Sequence, residues 1–133
     1  MTDFWSKQLN VPVRETRDSQ AKHLTIKALI VLAIKIKYAS TLRYQSIFSE
    51  FEITNRKNII NIVDVYHENK KGKCIYCYEI QKVINEDYKK EKIKFYENYE
   101  QYGFKTIDWI LVDTNYAPNN IDELWKWINK IVV

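Results

Sequence analysis

The stretch "CIYCYEIQK", Cys74 to Lys82, puts a carboxylate, Glu79, two residues from an amide, Gln81. Side chains at i and i+2 of a strand leave the same face. An otherwise apolar segment therefore aims an acid and an amide at one place. A second acid, Asp64, lies in "IINIVDVYH", Ile59 to His67, just upstream. With "ENKKGK" as the turn between them, antiparallel pairing sets Asp64 and Glu79 at the same end of a hairpin. Two carboxylates and the main-chain carbonyl of Ile80 make an oxygen-only donor set, which suits Mg²⁺ or Mn²⁺. Such an ion polarises a phosphodiester and lowers the pKa of an attacking water.

Three other groups carry reactive atoms. His23 and Lys27 stand at i and i+4 in "DSQAKHLTIK", on one face of a helix; taken alone, that is the exposed stripe of a half-buried helix. Glu50 and Glu52 alternate along a strand-like segment, either as a rim to the acidic site or as a solvated face. Cys74 and Cys77 form Cys-x-x-Cys, but there is no second cysteine pair. A structural zinc needs four ligands, so His23 and His67 would both have to be recruited. A dithiol redox site wants its first cysteine at a helix N-terminus. In a strand the two thiols point to opposite faces, so they are read as small apolar fillers.

These residues need elements to hold them. Met1 to Arg17 reads as an irregular arm, with Pro12 opposing a continuous helix. Asp18 or Ser19 caps a helix to about Ala39, apolar on most sides and so expected to be buried against a sheet. Strands follow at Tyr44–Ile53, Ile59–His67 and from Cys74, with turns at "TNRKN" and around Gly72. From Asn85 to Tyr102 the period becomes helical, with Gly103 as the stop. Lys105–Thr114 is a nearly continuous apolar strand of the kind covered on both faces. A last helix, Asp122–Val133, has Asn120 as its cap. The order is α-β-β-β-α-β-α in a single domain, a three-strand meander with a fourth strand joined by a helical crossover, which implies one parallel pairing.

Asp64, a hairpin turn and Glu79-Ile80-Gln81, set in that order, resemble the PD-(D/E)xK nuclease superfamily, which includes restriction endonucleases and archaeal Holliday junction resolvases. The likeness in element order covers nearly the whole chain; the motif itself is three positions. It implies a restriction-endonuclease-like α/β core, a mixed four-stranded sheet with flanking helices. In it Asp64 and Glu79 are metal ligands, and Gln81 takes the place usually held by lysine to orient the water. Val63, not proline, precedes Asp64. A neutral amide positions water but brings no positive charge to the transition state. Asp18-Ser19-x-x-His23-x-x-x-Lys27 resembles the acid-Ser-x-x-His-x-x-x-Lys opening of competence-protein-like members. That implies that His23 and Lys27 face the site, near the metal or a phosphate, with Lys27 supplying the charge that Gln81 lacks. The implied activity is Mg²⁺- or Mn²⁺-dependent hydrolysis of DNA, and a homodimer would reach two strands. The same fold without its lysine also suits a catalytically silent nucleic-acid-binding or scaffolding protein.

The bulk of the chain agrees with a soluble domain. Its 133 residues are 46% hydrophobic and 29% charged, with a net charge of +4, a mild bias that suits a nucleic-acid partner. Two Gly and two Pro leave little material for a Gly-rich phosphate loop or a disordered linker. Lysines in "NRK" and "NKKGK" are placed to touch phosphates, whereas those of "YKKEKIK" alternate with glutamate as on a solvated helix face. The longest apolar run, Ala28 to Ile36, contains Lys35 and is short of the ~20 residues a membrane span needs. The polar opening is unlike a secretory leader, and the cysteines form no disulfide framework. The expected setting is reducing and cytoplasmic.

Overall fold

Ala21, Ile26, Ile30, Ala33 and Ile34 recur at helical spacing and are all buried, forming one apolar stripe along α1, Asp18–Lys37. The computed structural model describes residues 4–5, 18–55, 58–83, 85–99 and 103–133, with backbone alone at 18, 19, 55, 58 and 59. The capping expected of Asp18 or Ser19, Arg56 and Lys57 of the basic turn, and most of the N-terminal arm thus lie outside the described residues. As expected, α1 is buried against the sheet, by one face, while Leu32 and Ile36 remain exposed on another. After α1 a short 3-10 helix, Ala39–Tyr44, leads into the first strand.

The sheet comprises β1, Gln45–Asn55, β2, Asn58–Asn69, β3, Cys74–Gln81, and β4, Thr106–Asp113, in that spatial order. The first three pair antiparallel, and β4 lies parallel to β3 from Cys74↔Thr106 to Gln81↔Asp113. Helix α2, Glu86–Asn98, makes the crossover that this parallel pairing requires. Its N-terminus is capped by Asn85, whose side chain accepts from the Asp87 N–H. Gly103, read as the stop of this helix, lies past its end with φ 86, in the left-handed region that glycine occupies without strain. Helix α3, Ile121–Ile131, is capped as expected by Asn120, which accepts from the N–H groups of Asp122 and Glu123.

Two apolar cores follow from strand alternation. On one face Ile26, Ile30 and Ile34 of α1 and Leu124 and Ile128 of α3 meet Val65, Tyr78, Ile80 and Val112. Trp5, from the stretch read as an irregular arm, is buried in this core. On the other face Tyr96 of α2 packs with Val63, Tyr66, Ile75 and Cys77. Each large apolar side chain so buried stabilises the fold by roughly 1.5–3 kcal/mol. No helix among the described residues is long and apolar enough to cross a membrane.

One irregularity decides where the acids point. The β1–β2 ladder pairs Ser49 with Val65 and Phe51 with Val63, yet Glu50 and Asp64 between them do not pair. Glu50 has φ 53, a left-handed backbone that a residue with a Cβ rarely adopts. Alternation switches there. Val65 packs toward α1, and Val63, two residues earlier, packs toward α2.

Candidate functional site

The β2–β3 ladder runs from Asn69↔Cys74 to Val65↔Tyr78. One step on, the Asp64 side chain takes over the role of the neighbouring backbone. Its Oδ2 accepts the Ile80 N–H at 2.7 Å, so the carboxylate is seated against the peptide that joins Glu79 to Ile80. Its Oδ1 lies 3.2 Å from His23 Nε2 on α1. One turn along α1, Lys27 Nζ reaches Glu50 Oε1 at 2.8 Å. That ammonium holds the Glu50 carboxyl below the usual carboxylate range, while the nearby negative charge of Asp64 works against it. His23, Lys27, Asp64 and Glu50 thus form one partly open cluster on the α1 side.

Glu79 belongs to a different layer. It is 2% exposed and faces α2, where three donors converge on Oε2: Lys92 Nζ at 2.8 Å, the Tyr96 hydroxyl at 2.9 Å and Asn61 Nδ2 at 3.2 Å. Lys92 also donates to Asn61 Oδ1 at 2.7 Å. Burial with this carboxylate as neighbour pushes the Tyr96 hydroxyl far above the ordinary tyrosine range. As expected, Asp64 and Glu79 stand at the same end of the hairpin and flank one peptide. The pairing is not regular there, however: with the break at Glu50 and Asp64, Asp64 contacts His23 of α1 while Glu79 contacts Lys92 and Tyr96 of α2. Their fields still overlap: both raise the Tyr88 hydroxyl, after desolvation as the main cause.

Gln81 ends β3 and is exposed. With Ile80, His23, Lys22, Lys82 and Thr114 it lines a cleft of about 400 Å³. Lys82, expected on the opposite side of the sheet from Gln81, shares this cleft because the strand, and with it the alternation, ends at Gln81. Lys27 contacts Glu50, and the ammonium beside Glu79 is that of Lys92 on α2. Sequence reading passes over Lys92, treating its segment as a solvated face. The signal available is its spacing, four residues from both Tyr88 and Tyr96 on one helix stripe.

The remaining candidates separate cleanly. Cys74 and Cys77 are free; burial pushes the Cys77 thiol up to about 12, which keeps it protonated and unreactive. His67 is buried, with Nε2 2.6 Å from Gln45 Oε1, and desolvation lowers its pKa to about 4. Neither histidine joins the cysteines: among the described residues no three of His, Cys, Asp and Glu gather as a metal site. What the site does offer is oxygen. The Asp64 and Glu79 carboxylates and the Ile80 carbonyl match a hard divalent cation in donor type, and the cleft beside them carries the lysines that a phosphate would meet.

The chain matches no protein-family model, no curated protein and no solved structure.

Proposed function

We propose that this chain is a metal-dependent nuclease with a restriction-endonuclease-like core, hydrolysing phosphodiester bonds in DNA. The observation that carries the reading is the Asp64 carboxylate on the Ile80 N–H at 2.7 Å. That contact brings one acid to the peptide that carries the other, beside a main-chain carbonyl and a basic cleft. Asp64, Glu79 and the Ile80 carbonyl would hold Mg²⁺ or Mn²⁺. When bound, that ion supplies Lewis-acid polarisation of the phosphate and an acidified water.

The chain's own residues do the rest. Lys22 and Lys82 attract the phosphodiester into the cleft. The Gln81 amide accepts from and donates to a water there. His23 fixes the orientation of Asp64 through Oδ1 and is within reach to take up or return a proton. A chain this small reaches both strands of a duplex as a homodimer.

A second reading rests on the Glu79–Lys92 contact, which neutralises Glu79 without any ion: a silent nuclease-fold protein that binds nucleic acid or serves as a scaffold. One experiment separates them. Wild type, Asp64→Asn and Glu79→Gln are titrated with Mn²⁺ and incubated with labelled duplex, branched and single-stranded DNA, with and without chelator. The nuclease reading expects one Mn²⁺ per chain and chelator-sensitive cleavage, both lost in either variant. DNA binding by a wild type that takes up no Mn²⁺ and cuts nothing would establish the second reading.

A further inference from the structure

We propose that Lys92 is the positioning residue for Glu79, doing from helix α2 what the amide of Gln81 cannot do from the strand. The inference rests on the metal-dependent reading above. Its ground is the way the donors divide the carboxylate. Lys92, Tyr96 and Asn61 all address Oε2, at 2.8, 2.9 and 3.2 Å, and none of them addresses Oε1. Three donors on one oxygen hold the carboxylate in a fixed orientation and leave the lone pairs of the other unclaimed by them.

The lysine is itself held. Its ammonium has three N–H donors, and two are directed at Glu79 Oε2 and Asn61 Oδ1. It lies 5.7 Å from the centroid of the Tyr88 ring, within cation–π range. Asn61 closes the ring of contacts, accepting from Lys92 while its Nδ2 also approaches the Tyr96 hydroxyl at 3.2 Å. A surface lysine of the same helix behaves differently: among the described residues, Lys89 makes an i,i+3 ion pair with the exposed Glu86 at 3.6 Å.

A lysine in this place can act in two opposite ways. It can hold Glu79 so that Oε1 is ready for a cation, or it can compete with that cation for Glu79. The use of Oε2 by all three donors points to the first. Groups that orient a ligand in this way change metal affinity by about 10–100-fold when removed.

The test is Mn²⁺ affinity, followed by the electron-spin signal of the free ion, alongside cleavage of labelled DNA. Lys92→Met should weaken Mn²⁺ binding about tenfold or more. Lys92→Arg should recover part of the loss, because it restores the charge but not the geometry. Tyr96→Phe removes one donor while keeping the charge pair; it should weaken binding less and decides the matter if Lys92→Met does not fold. Lys89→Met should match wild type. Unchanged or tighter Mn²⁺ binding in folded Lys92→Met, or unchanged binding in Tyr96→Phe where Lys92→Met fails to fold, would overturn the proposal. A wild type that binds no Mn²⁺ would instead overturn the metal-dependent reading, a result the same titration shows separately.

Discussion

Asp64 and Glu79 flank one peptide bond, yet they are neutralised in opposite surroundings. Glu79 lies between the sheet and α2, 2% exposed, with an ammonium, a phenol and an amide on one oxygen. On the α1 side, Asp64 shares its charge between a backbone N–H and an imidazole, and Glu50 meets Lys27 with most of its own side chain in water. The contacts are of similar length, but burial differs, and burial sets what a contact contributes. Charges taken out of water depend strongly on their partners, whereas charges left in water hardly do. On the proposed nuclease reading, the buried layer would fix one metal ligand and the open layer would admit the substrate.

The largest effect should come from breaking the buried side unequally. Lys92→Met leaves the Glu79 charge desolvated with only neutral donors and should cost about 3–5 kcal/mol of stability. Glu79→Gln should be destabilising for the reverse reason, since it strands the ammonium. The double variant Glu79→Gln, Lys92→Met should recover much of either loss, because no unpaired charge remains. Denaturant titration of the four proteins measures the coupling. Additive losses would mean that the pair is solvated, and the contrast between the two layers would disappear.

How far this was legible in the sequence follows from how local each signal is. The α-β-β-β-α-β-α order is carried by period changes, by the turn at Gly72 and by the Asn120 cap, all of which act within a few residues. The association of Asp64 with the Glu79 segment is also local, since a hairpin joins them. The switch of alternation at Glu50 and Asp64 is not. It depends on one glutamate in a left-handed conformation, which sequence pattern disfavours, and it alters two strands together. Lys92 is illegible for a related reason. "YKKEKIK" presents several lysines around one glutamate, and only the packing of Tyr96 against the sheet makes one of them an inward residue. The 3-10 helix, Ala39–Tyr44, carries no period that separates it from the helix before it or the strand after it.

An intermediate effect belongs to Asp64, whose two oxygens do different things. Asp64→Ala leaves the Ile80 N–H without its acceptor and should cost about 1–3 kcal/mol. Asp64→Asn keeps an acceptor oxygen and should stay close to wild type in stability while losing the ionic chemistry. Thermal melts of the pair, compared with their Mn²⁺ binding, separate the structural role of Oδ2 from the role of the charge. Equal destabilisation by both substitutions would show that the hydrogen bond needs the full negative charge, and would make the α1 side resemble the α2 side.

The smallest effect is expected at Glu50, and its dependence on conditions is more telling than its size. Lys27 holds the Glu50 carboxyl below its ordinary range, so the ion pair contributes above the ordinary carboxylate pKa. It is lost as the pH falls through the lower, folded value. Glu50→Gln should therefore differ from wild type only at neutral pH and low salt. The two proteins should converge both on acidification and in about 1 M salt, where the screening length is about 3 Å. Backbone conformation adds a test independent of charge. Glu50→Gly and Glu50→Ala both delete the ion pair, but only glycine accepts φ 53 without steric cost. The glycine variant should therefore melt at the higher temperature. If alanine proved the more stable, the chain at Glu50 would not be left-handed. Asp64 would then regain a regular partner on β1, and the physical reason for its turn toward His23 would be gone.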